Sequence, residues 1–265
     1  MTISFRQLSI LPLIMLPSAG YCIIPVDQLH VTPIGFSGQA GLSLTGERGN
    51  KDEQEYNING ILRYGWDKSA LMLLSDYNYT KTNDERNEDD LYVHLRYIQN
   101  DYFKQNVDAE VFVQYQYDDF ADLSNRRLFG AGMRWRFAES SGEQTNDDGT
   151  QSNAYETIFG AGAFYEEEDA QSNGLQETTV RANLYGRFLF TSNSEHEFSV
   201  YSTIYVQPSV EQLDDVRSLL VGGIEFPIAE SLALSLEAEV RYDSEPFEGV
   251  ENTNVEYGVR ISYSF

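Results

Sequence analysis

From Ile34 to the last residue, apolar and polar side chains alternate in segments of about ten residues. Gly-, Asn- or Asp-rich breaks separate the segments. Period-two alternation describes a strand with one oily and one wet face. The clearest segment is the last. Val255, Tyr257, Val259, Ile261, Tyr263 and Phe265 share one face, and Asn254, Glu256, Gly258, Arg260, Ser262 and Ser264 share the other. The segment before it sets Leu232, Leu234, Leu236, Ala238, Val240 and Tyr242 against Ser235, Glu237, Glu239 and Arg241. Extended along the chain, the pattern predicts twelve strands near 34–46, 53–64, 68–79, 88–98, 107–118, 126–137, 154–166, 176–190, 195–207, 216–226, 231–243 and 253–265. The segments 68–79 and 216–226 alternate poorly.

The breaks alternate too. ERGNKDE, TKTNDERNEDD, DDFADLSN, EEEDAQSNG, QPSVEQLDD and SEPFEGVENT are acidic and mostly long, whereas GWDK, NDYFKQ, TSNS and PIAE are tight or less charged. ESSGEQTNDDGTQS, within 138–153, is a long break on the tight side. Short turns at one end and longer loops at the other, with an even strand number, belong to outer-membrane barrels. The expected fold is all-β, an antiparallel up-and-down transmembrane β-barrel over 34–265. A soluble β-sandwich also alternates. It does not call for twelve such strands with Tyr-rich oily faces.

The N-terminus changes the picture in one respect. Arg6, the apolar run Leu8 to Leu16 and the small residues Ser18, Ala19 and Gly20 have the layout of a secretory signal. Residues 1–20 are therefore expected to be a signal peptide cut near 20–22, and 21–33 a short periplasmic segment. Cys22 is the only cysteine, which excludes a disulfide within the chain. The expected location is the Gram-negative outer membrane.

Composition supports strands at an interface. Tyr 18 and Phe 15 against Trp 2 make an aromatic-rich, Tyr-dominated chain, and tyrosine suits a membrane–water boundary. The formal net charge of -24 argues against nucleic acid, which demands Lys and Arg patches.

Glu256-x-Gly258-x-x-Ile261-x-Tyr263-x-Phe265 has the form of a barrel assembly signal, an amphipathic edge strand offered for strand addition by the insertion machinery. The run VQYQYDDFADLSNRRLFGAGMRWRF, Val113 to Phe137, resembles the signature block of the YdiY-like salt-induced outer-membrane protein family. The resemblance rests on Asp118, Asp119 and Phe120, then Arg126 and Arg127, then Gly130 and Gly132. GQAGLSLTGERGNKD at 38–52 is similar to that family's first strand and turn. The resemblance implies an outer-membrane barrel of unassigned molecular role.

If the oily faces meet lipid, the lumen receives Arg63, Arg96, Arg134, Arg136, Arg181, Arg187, Arg241 and Arg260. It also receives Glu110, Glu156, Glu177, Glu237, Glu239 and Glu256. Both signs together are read as an Arg–Glu network that fills the barrel. The role is then structural or envelope-adapting, without catalysis. The alternative is a narrow channel for small charged solutes; a barrel enzyme is the second alternative. His30, His94 and His196 form no Ser–His–acid grouping by spacing, with His94 expected in the lumen. No catalytic, cofactor or zinc site is expected. Gly130, Gly132, Gly160 and Gly162 are expected to relieve crowding inside or to bend strands. The expected partners are outer-membrane lipid, lipopolysaccharide and the barrel assembly machinery. Divalent cations are candidates at the acidic loops, at Asp84, Glu85 and Glu88 to Asp90 and at Glu166 to Asp169.

Overall fold

The computed structural model describes residues 34–48, 52–140, 153–192, 197–229, 231–246 and 251–264. The expected signal peptide and periplasmic segment, the break at 141–152 and Phe265 lie outside the described residues. The strands are β1 (Gly35–Glu47), β2 (Glu53–Gly65), β3 (Ser69–Thr82), β4 (Glu85–Lys104), β5 (Val107–Asp118) and β6 (Leu123–Ser140). They continue as β7 (Ala154–Ala170), β8 (Gln176–Ser192), β9 (Phe198–Pro208), β10 (Val216–Ala229), β11 (Leu232–Asp243) and β12 (Thr253–Ser264). Each pairs antiparallel with its sequence neighbours, and β12 meets β1 to close the ring. The chain is a closed twelve-stranded antiparallel barrel, as the alternation predicts.

The outward rows explain the fold's solvent. Ile58, Leu62, Leu73, Leu95, Val111, Val113, Leu184, Ile204, Leu220, Leu236 and Val259 stand exposed around the barrel's waist. Toward one end the exposed row turns aromatic with Phe36, Tyr64, Trp66, Phe137, Tyr155, Phe226 and Tyr263; toward the other, with Tyr56, Tyr115, Tyr165, Tyr242 and Tyr257. An aliphatic band between two aromatic girdles is the surface a barrel presents to a bilayer. No water-soluble β protein gains by exposing so continuous a belt.

Strand lengths depart from expectation at the end away from β1's first residue, here the loop end. TKTNDERNEDD is no long loop. β3 and β4 continue to a two-residue hairpin turn at Asn83 and Asp84, whose φ values of 50° and 68° match a type I′ turn. Likewise β6 begins at Leu123 and β7 runs on to Ala170, so DDFADLSN and EEEDAQSNG are mostly strand or tight turn. Charged residues were expected to mark loops. Above an apolar belt, however, a strand continues into water with charge on its outer face, and facing the lumen it carries charge anywhere. At the opposite, turn end, β4 likewise extends through NDYFKQ to Lys104, across an irregularity between Gln99 and Lys104.

The turn at Asn83–Asp84 is testable. Asp84→Gly relieves the positive φ and raises the urea midpoint of unfolding slightly; Asp84→Val, β-branched at φ 68°, lowers it and slows refolding.

The ion-paired lumen as candidate functional site

Inward-facing residues sort into a packed side and an open side. On β4 to β10 the lumen is filled. Phe112, Leu128 and Phe164 form one buried apolar cluster, and Ile158, Tyr185, Tyr205, Leu219 and Val221 form another. Ile61, Met72 and Ile98 make a third on β2 to β4. Two of these clusters explain the poorly alternating segments: Met72 on β3 and Leu219 and Val221 on β10 are apolar residues that face inward.

Charge is organised around the apolar clusters. Near the loop end, three arginines and four carboxylates form a buried knot. Glu166 accepts from Arg126 Nε at 2.9 Å, from Arg181 Nε at 2.6 Å and from Arg217 Nη1 at 3.1 Å. Glu168 accepts both ends of the Arg217 fork at 2.6 and 2.9 Å, and Arg126 reaches it at 3.0 Å. Arg181 forks onto Asp215 at 2.9 and 2.7 Å, and Arg217 Nε donates to Asp243 at 2.9 Å. Bidentate Arg–carboxylate pairs fix direction as well as distance. The knot joins β6, β7, β8, β10, the β9–β10 loop and the end of β11.

At mid-height, Tyr185 on β8 donates across the lumen to Glu110 on β5, at 3.1 and 3.2 Å, and Arg96 meets the same carboxylate at 3.3 Å. Arg96 also donates to His94 Nε2 at 3.3 Å. The ring of His94 stacks between Tyr92 and Phe112 and meets Gln114 through Nδ1 at 3.4 Å. A small cavity between Tyr92, His94, Arg96, Gln114 and Tyr205 has about 30 Å³ of free space, room for a water or two. Toward the turn end, Arg134 holds Asp108 at 2.8 Å. Arg136 bridges Asp101 at 2.6 Å and Asp108 at 3.3 Å. Arg187 and Glu156 pair at 3.4 Å.

The open side is the wall of β11, β12 and β1. Its inward residues are polar. Glu237 meets Arg260 at 2.9 Å, Arg241 meets Glu256 at 2.7 Å, and Arg241 also contacts Glu239. Arg63 is half-buried on the same side of β2. A Cβ added at Gly258 would meet nothing within 4 Å.

Of the predicted lumen residues, Glu177 has the inward parity and stands exposed at the loop-end rim, beyond the packed interior. Glu166 and Glu168, expected in a cation-holding loop, are buried in the knot. Among the described residues no group of three or more His, Cys, Asp or Glu side chains is arranged to hold a metal. Arg126, Arg217, Asp215 and Asp243 were absent from the expected set. Arg126 shares parity with Arg134 and Arg136, so the signal existed. Arg217 lay in a segment without a clear polar face.

The glycines are now placed. A Cβ on Gly130 would lie 2.3 Å from the Phe112 ring, and one on Gly160 would lie 1.9 Å from the Tyr185 ring. These two glycines leave room for aromatic rings that fill the lumen. Gly132 and Gly162 instead face backbone of the opposing strand, at 2.9 Å from the Ala161 carbonyl and 2.3 Å from that of Ala131.

A family model described as "Protein of unknown function, DUF481" matches residues 40–265. The chain belongs to that family. Among solved structures, this DUF481 member is similar to the NanC porin, with 11% identity, 86% of this chain and 98% of that one covered, and a TM-score of 0.46. It is also similar to the beta domain of the Bordetella autotransporter BrkA (11% identity, 87% and 97% covered, TM-score 0.37). A third is OmpT, an outer membrane protein of Vibrio cholerae (13% identity, 87% and 96% covered, TM-score 0.27). No curated protein matches the chain.

Proposed function

We propose that this DUF481 protein is an outer-membrane barrel whose lumen is closed by its own side chains, a structural, envelope-adapting element and not an enzyme. The observation that carries this reading is the Arg126–Arg181–Arg217 knot with Glu166 and Glu168. It ties β10 to β7 across the lumen and continues into the apolar clusters below. Barrels with water-filled lumens keep that face polar. Here Phe112, Phe164, Leu219 and Val221 occupy it. The belt and its aromatic girdles support placement in a bilayer, and the resemblance to salt-induced outer-membrane proteins agrees with an envelope role. The expected signal peptide and C-terminal assembly signal complete the route.

Lipid and lipopolysaccharide are the partners of such a surface, and the assembly machinery that of its last strand. Divalent cations at the rim would compete with basic side chains. Arg86 already engages Asp89 at 2.7 Å and Asp119 at 2.6 Å. Against catalysis stands the place of His94, buried between two rings with Gln114 and Arg96 at its nitrogens. Among the described residues, the partners at its ring nitrogens include no serine or threonine hydroxyl for it to activate.

The second reading, a narrow channel, is favoured by one observation: the Arg260 side chain remains 44% exposed beside Gly258, so the β11–β12 wall is not filled. Single-channel recording in planar bilayers separates the two. The filled lumen gives an electrically silent barrel, and Tyr185→Ala with Leu219→Ala, which removes bulk at mid-height, introduces conducting steps. Steady steps from the unaltered protein, with ion preference shifted by Arg260→Ala, would instead make it a channel.

A further inference from the structure

The ring closes unevenly. Every residue of β1 from Gly35 to Glu47 has a partner in β2, and β12 pairs with β11 from Thr253 to Tyr263. Between β1 and β12, however, only Gln39–Ser264 and Ala40–Tyr263 are paired among the described residues, at the turn end. Beyond them the register would set Leu42 against Ile261 and Leu44 against Val259, but no ladder pairing joins these positions. The residues flanking the unpaired stretch face outward: Leu42 is 66% exposed, Ile261 63% and Tyr257 76%. A slot therefore opens along the seam.

The slot divides two chemistries. Its outer lips are apolar, with Leu42 and Leu44 on one side and Tyr257, Val259 and Ile261 on the other. Behind it lies the open side of the lumen, with Arg241 and Arg260 among Glu237, Glu239 and Glu256 and open space at Gly258. Unpaired backbone is not tolerated against lipid tails unless water or a polar group reaches it, and a polar trough directly behind the slot supplies that access.

We infer that the β1–β12 seam is a lateral portal through which a bilayer phospholipid places its headgroup in the trough while its acyl chains stay in the membrane. The occupant is zwitterionic, a phosphoethanolamine headgroup. Arg63, Arg241 and Arg260 suit its phosphate; Glu237, Glu239 and Glu256, with Asp76 in the field of Arg241 and Arg260, suit its ammonium; and a purely anionic headgroup would meet an excess of carboxylate. The inference rests on the membrane-barrel reading of the preceding section, which the heat-dependent gel shift of the inserted protein tests separately.

The experiment uses the protein in vesicles of phosphatidylethanolamine and phosphatidylglycerol. A benzophenone side chain is placed in the trough by Gly258→p-benzoylphenylalanine, and on the lipid-facing wall by Leu236→p-benzoylphenylalanine. The expected result is phosphatidylethanolamine adducts at both positions. The adduct at 258 falls at least tenfold when Leu42→Cys and Ile261→Cys lock the seam by a disulfide in a Cys22→Ser background, and the adduct at 236 is unchanged. Labelling at 236 without labelling at 258, persistence at 258 in the locked barrel, preference for phosphatidylglycerol, or an adduct to a second copy of the chain would each overturn it. Hydrogen exchange on the unsubstituted protein reads the seam directly. Amides of Gly41–Glu47 and Thr253–Ser262 exchange faster than those of β6 and β7 if the portal exists, and equal protection refutes it.

Discussion

Arg217→Met destabilises the folded barrel by about 3–5 kcal/mol, the range for removing one partner from a buried ion-paired group. Arg217 alone touches three of the knot's four carboxylates, holding Glu168 by both ends of its fork, Glu166 at 3.1 Å and Asp243 at 2.9 Å. Without it, Arg126 and Arg181 face four buried carboxylates, and Asp243 loses its arginine. Methionine fills most of the volume, so the loss is electrostatic and not a cavity. Arg217→Lys keeps the charge but not the planar fork, and falls between. Adding Glu168→Gln to Arg217→Met recovers part of the loss by removing one stranded charge. Urea unfolding of the refolded barrel in micelles, followed by tryptophan fluorescence and the gel shift, reads all three. A Met variant as stable as the unaltered protein would mean the knot is hydrated and not buried.

The same residue shows what could be read from the sequence alone. Alternation identified strands because lipid demands apolar residues on one face, a constraint that reaches every strand. It erred where the inner face is apolar too. Met72 on β3 and Leu219 and Val221 on β10 blur the period, and Arg217 was lost with them. It also erred where charge was equated with loop. Glu166 and Glu168 lie in a run of acids, and only the pairing of β7 with β6 and β8 shows that alternate members turn inward to meet Arg126 and Arg181. Parity set Arg96, Glu110, Arg134, Arg187 and Glu156 on one face, and all five are buried. Their partners could not be foreseen. Tyr185 reaches Glu110 over 75 positions of sequence, and Arg217 reaches Glu168 over 49. Such contacts depend on barrel curvature, which no local pattern encodes.

Curvature and filling meet at Gly160. Its φ is not positive, so alanine can adopt the backbone without strain, and any cost of Gly160→Ala must come from contact. The new Cβ would stand 1.9 Å from Cε1 of Tyr185 and 2.1 Å from its Cζ. The ring has nowhere simple to go. Its hydroxyl is held by Glu110, its ring centroid lies 5.3 Å from that of Tyr205, and Ile158, Leu219 and Val221 complete its surroundings. Overpacking of this kind costs about 1–3 kcal/mol. The hydrogen bonds to a buried carboxylate that must break add about 1.5–3 kcal/mol if wholly lost. Gly160→Ala is therefore expected to cost about 1–3 kcal/mol if the Tyr185 hydroxyl keeps its partner and up to about 6 kcal/mol if it does not, measured by urea unfolding. The decisive comparison is the same substitution in a Tyr185→Ala background. There the cost falls below about 0.5 kcal/mol, the level of independent surface changes, and the two substitutions couple by the difference. If the glycine served instead to bend β7, the cost would be the same with or without the ring, and the lumen's filling would owe nothing to this position.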